Sequence, residues 1–152
     1  MADELTTAYE RDRAYPDREL VALVERVAAR TSATVDRTLR DFGRFLGCEA
    51  FPRLAPAFYE RHASLTEALL AVEDEIHEHV RQVVPQALPP RLRVSPLGEH
   101  GAVIAYTSER RLCALLEGLV EGTAERFGTA VRMEQPQCML RGDPACSIVV
   151  EI

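Results

Sequence analysis

The chain has 152 residues, 47% of them hydrophobic, which is enough for one globular domain with a core of its own. A formal net charge of −6 argues against a nucleic-acid-binding protein, whose surface would carry a basic patch. With no apolar run long enough to span a bilayer, and no signal segment at its start, the sequence predicts a cytoplasmic protein.

The first half of the chain is predicted to be helical. Residues 1–14 are polar and weakly patterned, so we expect a loose arm, followed by a single domain over residues 15–152. A first helix should begin near Pro16, since proline suits the first turn of a helix, and a second around residues 32–34. The prolines within residues 48–56 predict a corner after the second helix.

A long helix and then a sheet are predicted for the second half. The segment Ser64-Leu65-Thr66-Glu67 resembles a capping box, and the helix that it opens should run to Val84, where prolines follow. From Arg91 the apolar residues alternate, which predicts β-strands. We expect strands at residues 91–94, 103–107, 130–134 and 146–152, with a helix over residues 109–127. This order predicts an α+β fold, in which an N-terminal helical part precedes a four-stranded antiparallel sheet with a crossing helix.

The long helix carries two candidate metal ligands, His77 and His79. They lie at opposite edges of the apolar stripe of this helix, so the helical periodicity does not indicate which of the two is the ligand. A histidine in such a place is more often a surface residue than a ligand. The acidic run at residues 73–78 likewise predicts a solvated helix face.

Three polar residues of different types, Tyr106, Ser108 and Arg110, alternate at the end of a predicted strand. Alternate residues of a strand point to the same face, so a phenol, a hydroxyl and a guanidinium would stand in a row. Such a row suits a carboxylate ligand, since arginine binds carboxylates through two parallel hydrogen bonds. An ordinary polar strand face is the alternative.

Taken together, three segments resemble the H-NOX (heme nitric oxide/oxygen binding) family. They are Glu75-Ile76-His77, Leu88-Pro89-Pro90-Arg91-Leu92 and Tyr106-Thr107-Ser108-Glu109-Arg110, and their spacing is that of the family. The stretch from Gly118 to Gly122 is also similar to the family's helix after the third segment. The resemblance extends from about Tyr15 to the end of the chain.

This resemblance assigns roles to the segments. It implies that His77, and not His79, is the axial ligand of a heme b, and that Pro90 presses on the heme. The residues implied to bind the heme propionates are Tyr106, Ser108 and Arg110.

The function that the resemblance implies is that of a stand-alone bacterial gas sensor. NO binding to the iron would weaken or break the bond to His77, and the change would pass to a separate histidine kinase or diguanylate cyclase. Oxygen-binding members carry a donor, usually tyrosine, at the position that corresponds to Leu115. We therefore expect a preference for NO and CO over oxygen. No nucleophile–base pair or pair of carboxylates stands out, so an enzyme is not expected.

The chain departs from the family at its N-terminus. Members usually begin with two further helices that help to wall the distal side of the heme, and the sequence is shorter by about that much before Tyr15. The arm, a partner chain or the second subunit of a homodimer would have to fill this gap. A heme that is bound weakly or lost is the alternative.

A second departure concerns three cysteines, Cys113, Cys138 and Cys146. They match the thiolates of a zinc site found in some bacterial members, but Gln135 stands where the histidine ligand of that site should be. A reversible Cys138–Cys146 disulfide and plain thiols are the competing interpretations. Two other functions therefore stay open, a thiol- or zinc-based redox sensor without heme and a small-ligand-binding domain like those of 4-vinyl reductases.

Overall fold

The computed structural model describes residues 9–10 and 15–152. The predicted N-terminal arm, residues 1–14, therefore lies almost entirely outside the described residues. Within the described part of the chain, no helix is long and apolar enough to cross a membrane.

Two helices open the fold, and both begin where local signals predict. Helix α1 spans Asp17–Thr31 and directly follows Pro16, and it ends at Ser32, whose φ of 54° is left-handed. Helix α2 spans Val35–Phe45. It is capped by Thr34, whose side-chain oxygen accepts a hydrogen bond from the backbone N–H of Arg37 at 3.1 Å.

The corner predicted for residues 48–56 is wrong over most of its length. The chain stays helical through a π turn at Leu46–Ala50 and a short helix α3 at Phe51–Leu54, and it bends only at Ala55. Proline breaks a regular α-helix because its ring meets the carbonyl four residues earlier. For Pro52 that carbonyl lies inside the wider π turn, so the helix accommodates the ring. Helix α4 follows at Pro56–Arg61.

The long helix of residues 65–83 consists of three parts. They are α5 at Leu65–Val72, a π turn at Glu73–His77 and α6 at Glu78–Val83. Ser64 caps its start, accepting from the N–H of Glu67 at 3.3 Å, while the Glu67 carboxylate accepts from the N–H of Ala63 at 2.8 Å. The predicted capping box is thus present, except that the Glu67 carboxylate binds the N–H of Ala63, one residue before the capping residue Ser64. The wide turn was not predicted, and turns of this kind are frequent at functional sites.

Four antiparallel strands form one sheet in the order β1-β2-β4-β3. The strands are β1 at Arg91–Pro96, β2 at Gly101–Thr107, β3 at Arg132–Gln137 and β4 at Cys146–Glu151, and helix α7 at Cys113–Arg126 lies between β2 and β3 in the chain. In this register Tyr106 of β2 lies directly opposite Cys146 of β4. The two central strands are buried on one face of the sheet, through Ile104 of β2 and Ile148 and Val150 of β4. The predicted α+β class, with a helical N-terminal part, is confirmed.

Helices α2 and α7 pack backbone against backbone. Gly43 faces the backbone of Leu115, and Gly118 faces that of Arg40, at distances that leave no room for a side chain. Ion pairs run beside this contact, and Arg40 binds both Glu117 and Glu121. The contact fixes α7 firmly against the helical part of the domain.

Candidate functional site

A cavity of about 390 Å³ lies between the long helix, α4, α7 and the sheet. Its size falls in the range of roughly 300–1,000 Å³ that small-molecule and cofactor sites occupy. Its walls are predominantly aliphatic and aromatic, and one imidazole is part of them. The lining residues are Phe51, Leu54, Ala55, Phe58, Tyr59, Ala68, Leu69, Val72, Ile76, His77, Val80, Pro90, Leu92, Val94, Ile104, Tyr106, Leu116, Leu119, Val120 and Thr123.

His77 is the imidazole in this wall, and its side chain is only 16% exposed. Its Nδ1 lies 2.9 Å from a carboxylate oxygen of Glu73. Because an ionised carboxylate only accepts, Nδ1 carries the proton, and in a neutral ring the lone pair is then on Nε2. His79 is exposed and does not line the cavity. Of the two histidines that periodicity left equivalent, the fold brings His77 to the cavity.

Glu73 binds His77, a contact that the sequence did not reveal, since the acidic run around Glu73 predicted a solvated face. Its Oε2 also accepts from the backbone N–H of Leu92 at 3.0 Å, and its Oε1 accepts from the guanidinium of Arg81 at 2.8 Å. Burial favours the neutral acid, but the hydrogen bonds from His77, Leu92 and Arg81 prevail and hold the pKa of Glu73 below its ordinary value. Glu73 is therefore an anion that joins the long helix to β1.

Pro90 and Tyr106 line the cavity on the side of the sheet. The carbonyl of Pro90 accepts from Arg81 at 3.0 Å. The hydroxyl of Tyr106 accepts from the backbone N–H of Leu112 at 3.1 Å, and burial raises the pKa of Tyr106, opposed by hydrogen bonds with Ser108 and Leu112. The phenol is thus fixed in place at the wall.

Ser108 and Arg110 follow the strand rather than belong to it, because β2 ends at Thr107. The alternation of side chains between the two faces of the sheet therefore stops at Thr107. Neither Ser108 nor Arg110 lines the cavity that Tyr106 lines. The hydroxyl of Ser108 accepts from the N–H of Arg110 at 3.2 Å, and Nε of Arg110 donates to Asp17 of α1 at 2.7 Å. In the described part of the chain, the other guanidinium nitrogens of Arg110 have no partner.

On α7 the cavity is lined by Leu116 and Leu119 rather than by Leu115. Leu115 is half-buried, and its carbonyl lies against Gly43 at the helix contact. A phenol that the sequence did not single out, Tyr59 of α4, also lines the cavity. Burial raises the pKa of Tyr59, opposed by a hydrogen bond with Thr123 of α7.

The three cysteines Cys113, Cys138 and Cys146 come together as a buried cluster, with their Sγ atoms all within 4.8 Å of one another. Burial raises the pKa of Cys113 to about 12. Burial also acts on Cys138, but backbone N–H groups and the thiols of its two neighbours outweigh it and lower the pKa of Cys138. Of the three thiols, Cys138 is therefore the one whose surroundings favour the thiolate.

The chain is similar to known proteins in sequence and in fold. A family model described as Haem-NO-binding matches residues 2–135. The chain belongs to the Haem-NO-binding family. No protein of curated function matches the chain in sequence.

Solved structures of this family have the same fold. An H-NOX protein from S. oneidensis in the Fe(II)NO state superposes with a TM-score of 0.88 at 24% identity, covering 97% of this chain and 81% of that chain. A mutant of the S. oneidensis protein in the Fe(II) state gives a TM-score of 0.90 at 25% identity over 97% and 78% of the two chains. For the unliganded Fe(II) H-NOX protein from K. algicida the TM-score is 0.84 at 20% identity, over 98% and 80%. The predicted fold class is that of the Haem-NO-binding family.

The residues around the cavity fit the heme that this family binds. Of the lining residues within the described chain, His77 alone offers a nitrogen or sulfur donor, and its free Nε2 suits an iron ion. The remaining wall is predominantly apolar, which suits a porphyrin face. Tyr106 is fixed at one wall, and Arg110, which Asp17 binds through Nε, follows a few residues after it.

The zinc site of some family members is matched only in part. Three buried thiols are present, but a structural zinc ion takes four ligands. Gln135 lines a charged groove together with Cys113 and Cys138, and its side chain lies close enough to the Cys113 thiol to oppose the effect of burial on the pKa of Cys113. Its amide is a poor zinc ligand, so the set of donors is incomplete for zinc.

Proposed function

We propose that the chain is a gas sensor that binds NO and CO at a ferrous heme b held by His77. The observation that carries the proposal is the imidazole of His77 in the wall of an apolar cavity, with Nδ1 held by Glu73. Membership of the Haem-NO-binding family supports it. A non-enzymatic role agrees with a cavity lined by aliphatic, aromatic and hydroxyl side chains around one imidazole.

Each of the other site residues has a task in this proposal. Pro90 would press on a bound porphyrin from its place in the wall. Tyr106 accepts from Leu112, so the proton of its hydroxyl remains to be donated to a propionate. Ser108 and Arg110 complete the propionate site, with the guanidinium nitrogens that Asp17 leaves free. Leu115 backs the α7 wall without supplying a hydrogen-bond donor from its side chain.

Signalling would use the long helix as the element with two states. Bound heme would supply an iron that binds a diatomic gas, and His77 would hold that iron. A change in how His77 is held would let the π turn at Glu73–His77 rearrange against β1. The output then passes to a separate cytoplasmic partner, a histidine kinase or a diguanylate cyclase, which would recognise the changed helix.

An absorption spectrum of the full chain, purified after expression with heme available, tests the proposal. We expect a Soret band that shifts when NO is added to the reduced protein. The band should be lost in His77→Ala and kept in His79→Ala, the matched control on the exposed side of the same helix. A wild-type protein that stays colourless with hemin would overturn the heme assignment and favour another small hydrophobic ligand in the same cavity.

The cysteine cluster favours a second function, that of a thiol- or zinc-based redox sensor on the same scaffold. It rests on the three Sγ atoms lying within 4.8 Å of one another. Metal analysis of the reduced protein, and then of Cys146→Ser, tests this function. A metal content that is zero in both proteins, together with thiols that stay reduced under mild oxidants, would contradict it.

A further inference from the structure

The carboxylate of Glu73 accepts hydrogen bonds from three groups, of which His77 and Leu92 belong to the cavity wall and Arg81 does not. Oε2 accepts from Nδ1 of His77 at 2.9 Å and from the N–H of Leu92 at 3.0 Å. Oε1 accepts from Nη2 of Arg81 at 2.8 Å. We propose that Glu73 is a positioning residue that fixes the ring of His77 and sets the strength of its bond to iron. This inference rests on the proposed function.

Glu73 fixes the orientation of the His77 ring. The N–H of Leu92 belongs to β1, which is paired with β2 over its whole length, so its position is set by the sheet. A carboxylate oxygen that binds this N–H and the ring of His77 together therefore fixes the ring relative to the sheet. Histidines that bind metals usually donate their other N–H to such a partner, which fixes both tautomer and ring angle.

Glu73 also changes the electron density on the His77 ring. A carboxylate that accepts from Nδ1 draws the proton toward itself, which makes Nε2 a stronger donor to a metal. Arg81 acts against this effect, because its cation lies on the other carboxylate oxygen of Glu73. The guanidinium of Arg81 is held there by a second bond, to the carbonyl of Pro90 at 3.0 Å, and its side chain is only 17% exposed. Glu73 and Arg81 should therefore change the iron–histidine bond in opposite directions.

This difference of sign separates electronic tuning from a merely structural role. If the two residues only hold the long helix against β1, removing either of them loosens the same contact. Both variants would then weaken the bond to His77. If they tune it, Glu73→Gln weakens the bond and Arg81→Gln strengthens it.

The experiment uses the full chain loaded with heme. The iron–histidine stretching band of the ferrous protein is measured by resonance Raman spectroscopy, and the midpoint potential by spectroelectrochemistry. Relative to wild type, we expect a lower stretching frequency and a more positive potential in Glu73→Gln, and the reverse of both in Arg81→Gln. Transfer of hemin to an apoglobin should become roughly 10–100-fold faster in Glu73→Gln, the usual cost of losing such a partner.

Asp74→Asn is the matched control, since Asp74 is the next residue, is exposed and loses the same charge. Its band and potential should equal those of wild type. If Glu73→Gln fails to fold, the upward shift in Arg81→Gln is still required. Heme-loaded protein whose band is unchanged in Glu73→Gln, or shifts the same way in both variants, would overturn this inference alone. A wild-type protein that binds no hemin would overturn the proposed function and this inference with it.

Discussion

The Cβ that Gly118 lacks would lie 2.0 Å from the carbonyl oxygen of Arg40, in the contact between α7 and α2. Helix propensity alone predicts that Gly118→Ala stabilises the protein by about 1 kcal/mol. Forcing a methyl group against backbone instead costs about 1–3 kcal/mol, and backbone cannot move aside as a side chain can. We expect a net loss of stability, measured by urea unfolding of the heme-free protein. A variant as stable as wild type would show that the helices can separate at little cost.

The stability that Glu73 contributes should depend on pH. The pKa of Glu73 is lowered from its ordinary value of 4.5, because the hydrogen bonds from His77, Leu92 and Arg81 outweigh burial. A depressed pKa means that the stabilisation is complete above the unfolded-state pKa and is lost as the pH falls through the folded-state value. The charged or titratable groups that face the carboxylate are His77, Arg81 and, at 3.9 Å, Arg91.

The measurement is the free energy of unfolding of heme-free wild type and Glu73→Gln, determined by urea titration at several pH values. We expect wild type to be more stable at pH 7 and the difference to shrink below pH ~4.5, as the carboxylate is protonated. Asp74→Asn should show no such trend. A difference between wild type and Glu73→Gln that stays constant down to pH 3 would contradict the assignment.

Gas selectivity can be tested with oxygen. We expect ferrous protein in air to form no stable oxygen complex, because the α7 wall presents the apolar side chains of Leu116 and Leu119. Bound dioxygen would then lack a donor for its partial negative charge. The measurement is the absorption spectrum of wild type and Tyr59→Phe under oxygen, CO and NO. An oxygen complex in wild type that is lost in Tyr59→Phe would identify Tyr59 as a donor and refute the expectation.

The incomplete zinc site leads to a prediction about Gln135. Replacing it by histidine adds an imidazole next to three buried thiols, which completes a set of four good ligands. We expect reduced Gln135→His to hold one zinc ion per chain and wild type to hold less than one, by metal analysis after dialysis. Adding Cys146→Ser should remove the metal from Gln135→His. One tightly held zinc ion in both wild type and Gln135→Ala would show that another group completes the site.

How much of this could be predicted from sequence depends on the range of each interaction. The cap at Ser64 and the start of α1 after Pro16 were correct because their signals act within one turn of helix. The role of Glu73 was missed because its partner Leu92 is 19 residues away, and periodicity carries no information about such a bond. Likewise, the alternation of strand residues predicted that Arg110 points to the same face as Tyr106, but β2 ends at Thr107, before Arg110.

The cavity and the cysteine cluster are neighbours, because the sheet places one residue of each side by side. Tyr106 of the cavity wall and Cys146 of the cluster lie opposite each other on β2 and β4. Both residues are almost completely buried. In a close-packed interior, a change in the bonding of the sulfur displaces what it touches. We therefore expect that a change in the bonding of Cys146 alters the packing of Tyr106 in the cavity wall.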